Sequence, residues 1–296
     1  MSGFAECPEM WRFRRARPLP KGVKTLIMGI VNLTPDSFSG GGKPPPTPAE
    51  AADIAVGMLE DGADVIDIGA ESSRPGAATV TAEEEIRRLG DVVSLLRAKT
   101  DAPISIDTYH YDTAEYVLEQ GADIINDITA LREGWGRADR HRTRMAELLA
   151  RENAHAVLMH MPAPPATMQE EPEYLDVVTE VAEFLCERAE LAVRAGIPAG
   201  NIWLDPGFGF GKNFHHNREL LLRMGELGCG EYPLAVGLSR KRMISDALGL
   251  PPEERLEASL ALAVIASLTG AEMVRVHDVK ATARAVGMAD AVRGEG

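Results

Sequence analysis

Eight short apolar runs, spaced fairly evenly from one end of the chain to the other, each close on one or two polar residues. They finish at Asn32, at Asp67 and Glu71, at Asp107, at Asn126 and Asp127, at His160, at Asp205, at Ser239, and at Arg275 with His277. A strand covered on both faces reads as a continuous apolar run rather than an alternating one. The runs therefore predict strands over residues 25–32, 65–69, 104–108, 124–128, 156–160, 202–205, 234–239 and 273–277. Each is followed by a stretch long enough for a helix. Strict alternation of this kind within 296 residues points to a single-domain α/β fold, a (β/α)8 TIM barrel over residues 25–296 behind an N-terminal extension of residues 1–24. A doubly wound open sheet is the alternative that the pattern leaves standing.

Local signals mark the helices. Thr47-Pro48-Ala49-Glu50 and Thr81-Ala82-Glu83-Glu84 read as capping boxes, the first with proline at the first helical position, and Asp112 with Glu115 repeats the idea. Gly62-Ala63-Asp64, Gly121-Ala122-Asp123 and Gly270-Ala271-Glu272 echo one another just before strands, where glycine supplies the left-handed residue that ends a helix. The helix over residues 256–268, LEASLALAVIASL, is apolar nearly all round. A helix on the outer ring of a monomeric barrel keeps a wet face, so this one predicts a covered outer side and a homodimer.

Composition narrows the partners. A formal net charge of -14 repels a polyanion and excludes nucleic acid as the main partner, while a small anion in a local basic pocket stays compatible. Cys7, Cys186 and Cys229 are far apart and form no CxxC pair, so neither a zinc site nor a disulfide framework is expected, and a reducing cytoplasm fits best. Arg12, Arg14, Arg15 and Arg17 precede an apolar stretch too short for a signal sequence, and no segment reaches the ~18 apolar residues of a membrane span.

The strand ends carry the chemistry. In a parallel barrel these ends converge on one mouth, so the polar residues there share a site. Asp107, Asn126 and Asp205 suit a planar heterocycle with several N–H donors, such as a 2-amino-4-oxo pyrimidine ring, although each alone could equally cap a loop. Arg275 and His277 alternate, so both point the same way, in the region where barrels often bind phosphate. They imply an anionic leaving group, with Arg240 and Arg242 solvated or structural. Residues 205–213, DPGFGFGKN, are neither a Walker A loop nor GxGxxG. Their glycines let the backbone bend close to a ligand, with Phe210 packing on it. Residues 33–46 and 70–80 read as glycine- and proline-rich lids. Asp67 counts for less than the lid that follows it, Met159 reads as an apolar pocket wall, and His160 receives no role.

Taken in order, IMGIVNLTPDSFS (27–39), IDIGAESSRPGA (66–77), SIDT (105–108), GADIINDI (121–128), LMHM (158–161), LDPGFGFGKN (204–213), VGLSRK (236–241) and RVHD (275–278) resemble the pterin-binding enzyme family, and within it the synthases of folate biosynthesis. The resemblance implies condensation of 6-hydroxymethyl-7,8-dihydropterin pyrophosphate with 4-aminobenzoate, giving 7,8-dihydropteroate and pyrophosphate, with Mg2+ as cofactor. It implies that Asp107, Asn126, Asp205 and Lys241 hold the pterin, that Asn32 helps bind Mg2+, and that Arg275 and His277 hold the pyrophosphate. Phe38, Ser73, Arg74, Pro75, Phe210 and Ser239 would shape the aminobenzoate side, with Ser73 also bordering the pyrophosphate. Lys241, Arg275, His277 and Asp107 would be the catalytic group.

The chain departs from the family pattern at Gly40, where Asp is usual, at Ala70, where Gly is common, and at Ser73, where Thr is common. Altered loop mobility and sulfonamide affinity are expected, with activity retained. Residues 132–144 are rich in arginine and 162–165 in proline, and the sequence alone offers no functional account of either. The rival readings are a pterin-dependent methyltransferase and a catalytically silent pterin-binding protein. The SRK segment and the long first loop favour a synthase, and the joint presence of Asn32, Lys241, Arg275 and His277 favours a working enzyme.

Overall fold

The computed structural model describes residues 24–34, 45–72, 79–132, 143–168, 172–227 and 232–294. Eight parallel strands alternate with helices. The strands are β1 (Leu26–Asn32), β2 (Val65–Gly69), β3 (Ile104–Asp107), β4 (Ile124–Asp127), β5 (His155–Met159), β6 (Ile202–Asp205), β7 (Ala235–Val236) and β8 (Met273–Val276). The helices that bear on the argument are α1 (Pro48–Glu60), α2 (Ala82–Leu89), α4 (Tyr111–Glu119), α6 (Val177–Ala195), α7 (Phe214–Leu222), α8 (Arg242–Leu248), α9 (Leu256–Thr269) and α10 (Val279–Arg293), with α3 (Val92–Arg97) and α5 (Arg144–Glu152) completing the ring.

The strand order β6-β5-β4-β3-β2-β1-β8-β7 distinguishes a barrel from an open sheet, because β1 pairs with β8 as well as with β2. A parallel bridge between Leu204 and Leu234 nearly closes the remaining gap, and the Leu204 amide donates to the Pro233 carbonyl at 2.9 Å. The β7 ladder covers only Ala235 and Val236, although the sequence predicts 234–239. Past Val236 the chain turns rather than pairs, and Arg240 takes a left-handed φ of 57°.

Alternation sorts the side chains. Outward-facing residues such as Ile27, Val31, Ile66, Ile68, Ile106, Leu158, Leu204 and Val274 join the helices in one continuous core. Inward-facing Leu26, Met28, Val65, Ile124, Val157, Trp203, Ala235 and Met273 form a separate apolar floor inside the barrel. Two residues further along the same strands, still pointing inward, the floor gives way to polar groups: Val65 is followed by Asp67, Ile124 by Asn126, Trp203 by Asp205 and Met273 by Arg275.

The caps behave unevenly. Thr47 makes the full box, its hydroxyl accepting from the Glu50 amide while Glu50 reaches back to the Thr47 amide at 2.8 Å, with Pro48 at the first helical position. Thr81 accepts from the Glu84 amide at 3.3 Å, but the Glu84 carboxylate turns instead to Arg87 and Arg88. Asp112 is not a cap: α4 starts one residue before it, with His110 at the N-cap position and no side-chain bond there. Gly62, Gly121 and Gly270 all have positive φ, as expected of helix ends. Cys186 on α6 is disulfide-bonded, against the expectation that the chain carries no disulfide framework. Sequence spacing carries no information about which cysteines the fold brings together.

Candidate active site at the barrel mouth

Register builds the site. Gly69 lies beside Asp107, and Asp107 beside Asn126, so these positions share one inward-facing level. Met159 aligns with Asp205 on the next pair of strands. Asn126 and Asp205 are buried, and Asp107 keeps only a small exposed edge. The Asn126 side chain makes no hydrogen bond to another described residue, which leaves a buried amide able both to donate and to accept. Asp205 accepts from the Gly207 amide at 2.7 Å through Oδ1.

Arg275 enters this level from β8 and divides its guanidinium between two carboxylates. Nε donates to Asp67 Oδ2 at 2.6 Å, and Nη2 donates to Asp107 Oδ2 at 2.8 Å. Asp67 is fully buried and also accepts from the Ser105 hydroxyl at 2.6 Å. Asp67, which the sequence reading ranked below the lid that follows it, anchors the cation that the same reading assigned to the leaving group. Its position two residues beyond inward-facing Val65 was the available signal.

Burial works against the Arg275 cation, but the negative charges of Asp67 and Asp107 overcome it and hold the guanidinium firmly charged. Burial raises the Asp107 carboxyl above its ordinary range, an effect that Arg275 opposes and Asp67 reinforces. Asp205 is also raised, by burial first, with its bond from Gly207 pulling the other way. Lys241, partly buried after β7, is pushed down to about 8 by burial, with Asp205 opposing the shift and Arg275 adding to it. Its Nζ lies 3.9 Å from the centre of the Phe210 ring, a cation–π contact between two residues the sequence had placed in different subsites.

His277 and Ser239 also meet. The serine Oγ and His277 Nδ1 are 3.0 Å apart, and the His277 amide donates to the same Oγ at 3.3 Å. Arg240 leaves the mouth to pair with Asp278, and exposed Arg242 faces Asp246, as a structural and solvated pair should. On the opposite wall Met159 packs with Ile128, Met161 and Met168, and Phe210 lies against them. Phe38, Ser73, Arg74 and Pro75 lie outside the described residues, as do Gly40 and residues 133–142. Glu71 accepts from the Val80 amide and from the Tyr109 hydroxyl, and its other oxygen is 3.1 Å from His110 Nε2.

The glycine-rich turn after β6 differs from its sequence reading. Gly207 has φ 68°, and a Cβ there would sit 2.0 Å from the His160 carbonyl oxygen; Gly211 has φ 59°, and a Cβ would meet Pro162 at 2.3 Å. At these two positions glycine serves close approach of the chain to itself rather than to a ligand. Pro162, in the unexplained proline cluster, is the surface on which Gly211 packs. Lys212 beside them, without a role in the sequence reading, is buried.

For a divalent cation, Asn32 offers one amide oxygen at the end of β1, and a point built on Gly69 lies within 3.9 Å of both Asn32 Oδ1 and Asp107 Oδ2. Among the described residues, no cluster of three or more His, Cys, Asp or Glu could hold a metal. This donor set suits Mg2+, which keeps several waters and is completed by substrate phosphates rather than by a protein cage.

The profile of the family described as pterin binding enzyme matches residues 28–277. The dihydropteroate synthase of Escherichia coli (strain K12) is 44% identical over 265 residues, covering 90% of each chain. Among solved structures, the Yersinia pestis dihydropteroate synthase in complex with a sulfonamide drug superimposes with a TM-score of 0.84 at 42% identity, covering 92% of this chain and 95% of that one. The Burkholderia cenocepacia dihydropteroate synthase complexed with 7,8-dihydropteroate gives 0.82 at 38% identity, covering 96% of both.

Proposed function

Because the chain belongs to the pterin-binding enzyme family, we propose that its two inward-facing charge groups divide the work of making 7,8-dihydropteroate. The activity itself is that of a transferase in folate synthesis, joining 6-hydroxymethyl-7,8-dihydropterin pyrophosphate to 4-aminobenzoate with release of pyrophosphate. Neither a methyltransferase nor a silent binder matches relatives that are dihydropteroate synthases over nine-tenths of their length.

The observation that carries the assignment is the buried level of Asp107, Asn126 and Asp205, crossed by Arg275 and flanked by Lys241. Asp107 and Asp205 accept from the pterin N–H groups, and the Asn126 amide matches a donor and an acceptor on the ring edge. Lys241 reaches the same ring with its ammonium held over Phe210. As the C–O bond to pyrophosphate breaks, positive charge grows on the methylene carbon and spreads into the dihydropterin. The two carboxylates stabilise that charge from fixed positions in a low-dielectric site. Arg275 and His277 receive the departing anion. Arg275 keeps its Nε bond to Asp67 while Nη2 is the edge free to exchange Asp107 for phosphate oxygen.

Mg2+ held by Asn32 would neutralise the pyrophosphate as it leaves. Ser73, Arg74, Pro75 and Phe38 on the lids, with Phe210 and Ser239, would form the aminobenzoate side and exclude water from the cationic intermediate. This chain would bind sulfonamides as its Yersinia relative does. No protein nucleophile takes part, so a covalent pterin–enzyme adduct would contradict the mechanism.

A homodimer through the α9 region is favoured by the apolar face it leaves open. Ile265 and Leu268 are exposed there, and so are Leu222 at the end of α7 and Leu248 at the end of α8. A monomer mass in light scattering at micromolar concentration would count against it. No helix of the described residues is long and apolar enough to cross a membrane. A cytoplasmic location remains our reading, and because disulfides are rare in that compartment, thiol titration of protein from intact cells tests it through Cys186. The function is tested by pyrophosphate release that depends on both substrates. No turnover, alongside tight pterin binding, would support a silent binder instead.

A further inference from the structure

Lys212 is 4% exposed, yet among the described residues no carboxylate lies within hydrogen-bond reach of its ammonium. Its Nζ is 2.9 Å from His160 Nδ1, 3.0 Å from the Gly207 carbonyl oxygen, 2.9 Å from the Phe210 carbonyl oxygen and 3.4 Å from that of His160. Three donors meet acceptors from two different strand-end segments. These carbonyls converge because the turn is left-handed at Gly207, Gly209 and Gly211, and a converging set of carbonyls needs a donor at its centre.

His160 is built to be an acceptor. Burial first, and then the neighbouring charges of Lys212 and Arg132, hold its imidazole well below the usual histidine range and so neutral. Its ring is wedged edge-on against Phe184 of α6 at 4.9 Å, and its amide donates to the Asp205 carbonyl at 2.9 Å. Tyr174 ties the far end of the turn by donating to the Gly211 carbonyl at 3.0 Å. Arg132, whose guanidinium lies over the Phe184 ring at 5.2 Å from its centre, donates to the Met161 carbonyl at 2.6 Å. The loops that follow β4, β5 and β6 are thus joined behind the mouth, on the side away from the barrel axis.

A buried cation with no paired carboxylate costs stability, and an apolar side chain would fill such a space at lower cost. What the ammonium fixes is the position of two groups at the mouth. The Gly207 amide it helps to orient donates to Asp205 Oδ1, and the Phe210 carbonyl it holds sets the ring under Lys241. We propose that Lys212, with His160 as its acceptor, is a positioning residue for pterin binding that acts through Asp205 and the Phe210–Lys241 contact. This rests on the assignment of Asp205 to the pterin.

The test is a double-mutant cycle on the full-length protein with Lys212→Met and Asp205→Asn. Binding of 6-hydroxymethyl-7,8-dihydropterin pyrophosphate is measured by calorimetry, and the KM for 4-aminobenzoate by turnover. Each single variant is expected to raise the pterin Kd about tenfold or more. The double variant should be no weaker than the worse single by more than about threefold, since groups acting as a unit do not add. The aminobenzoate KM, to which the Phe210 ring also contributes, should rise by a smaller factor than the pterin Kd. A purely structural lysine would lower the melting temperature and the folded fraction while leaving the Kd of the folded fraction at the parent value, and that result would overturn the proposal. So would additive effects. A parent-like Kd in Asp205→Asn alone would instead remove the pterin assignment and the proposal with it. If Lys212→Met does not fold, His160→Leu removes a single acceptor and keeps the packing; a several-fold rise in Kd supports the proposal, and a parent-like Kd overturns it.

Discussion

The floor and the mouth of this barrel are made by the same strands, with side chains of the same inward parity, two residues apart. At the floor Val65, Ile124, Trp203 and Met273 belong to one apolar cluster. At the mouth Asp67, Asn126, Asp205 and Arg275 take their places. The scaffold is indifferent to the change, because each strand meets its neighbours through backbone bonds and its outer face through the helices. The energetics differ sharply. The floor stabilises by removing apolar surface from water, whereas the mouth holds carboxylates whose burial raises their pKa and a lysine, Lys241, whose burial lowers its own. Stability resides in one level and chemistry in the next.

The largest expected effect is at the residue that belongs to both accounts. Arg275→Ala should lower turnover by about 10²–10³, as loss of one electrostatic contact to a developing charge does, and should also destabilise the fold. Removing the cation leaves Asp67 fully buried with Ser105 as its one side-chain partner among the described residues, a situation that costs roughly 3–5 kcal/mol. Parent-like turnover, or an unchanged melting temperature, would break the division between floor and mouth at its seam. Lys241→Ala separates the two. Its ammonium has a ring contact but no ion pair among the described residues, so the expected loss of about 10²-fold in kcat/KM comes with a melting temperature close to the parent's. Thermal melts beside steady-state rates check both variants.

A smaller effect should appear in the pH dependence of stability. Burial pushes Lys212 down to about 7, far below the 10.5 of an ordinary lysine. Between those values the folded state binds fewer protons than the unfolded state, so the lysine's contribution to stability grows as pH rises through this window and is lost as pH falls through 7. The stability gap between parent and Lys212→Met should shift in the parent's favour from pH 7 to pH 9. Chemical denaturation at several pH values measures it, and a shift in the variant's favour as pH rises would contradict the buried, depressed ammonium. The smallest effect belongs to neither level: Thr47→Ala removes a complete capping box and should cost about 1 kcal/mol with no change in rate.

Much of this division can be read in the sequence, and the failures have physical causes. Continuous apolar runs place the strands, and period-two alternation places Asp107, Asn126, Asp205 and Arg275 inside one mouth. The same parity applied to Asp67 would have put it beside Arg275, but the contact spans 208 residues of sequence and only the closure of β1 on β8 brings the pair together. Lys212 left no legible trace, because a lysine after a glycine-rich turn reads as a surface residue until the carbonyls that converge on it are known. His160 sits one residue out of phase with inward-facing Met159, which is why it belongs to the bracing behind the mouth and not to the site. The Cys186 disulfide depends on proximity in the fold alone.

The central claim is tested most directly on one strand, where Trp203 in the floor precedes Asp205 in the mouth by two residues. Binding of the pterin pyrophosphate and thermal unfolding should be measured together for Trp203→Phe and Asp205→Asn. Trp203→Phe is expected to lower the melting temperature and leave the Kd near the parent value. Asp205→Asn is expected to weaken binding about tenfold or more while melting at or above the parent temperature, since it removes a carboxylate that burial disfavours. Parent-like binding in Asp205→Asn, or losses of stability and binding that move together in both variants, would contradict the account.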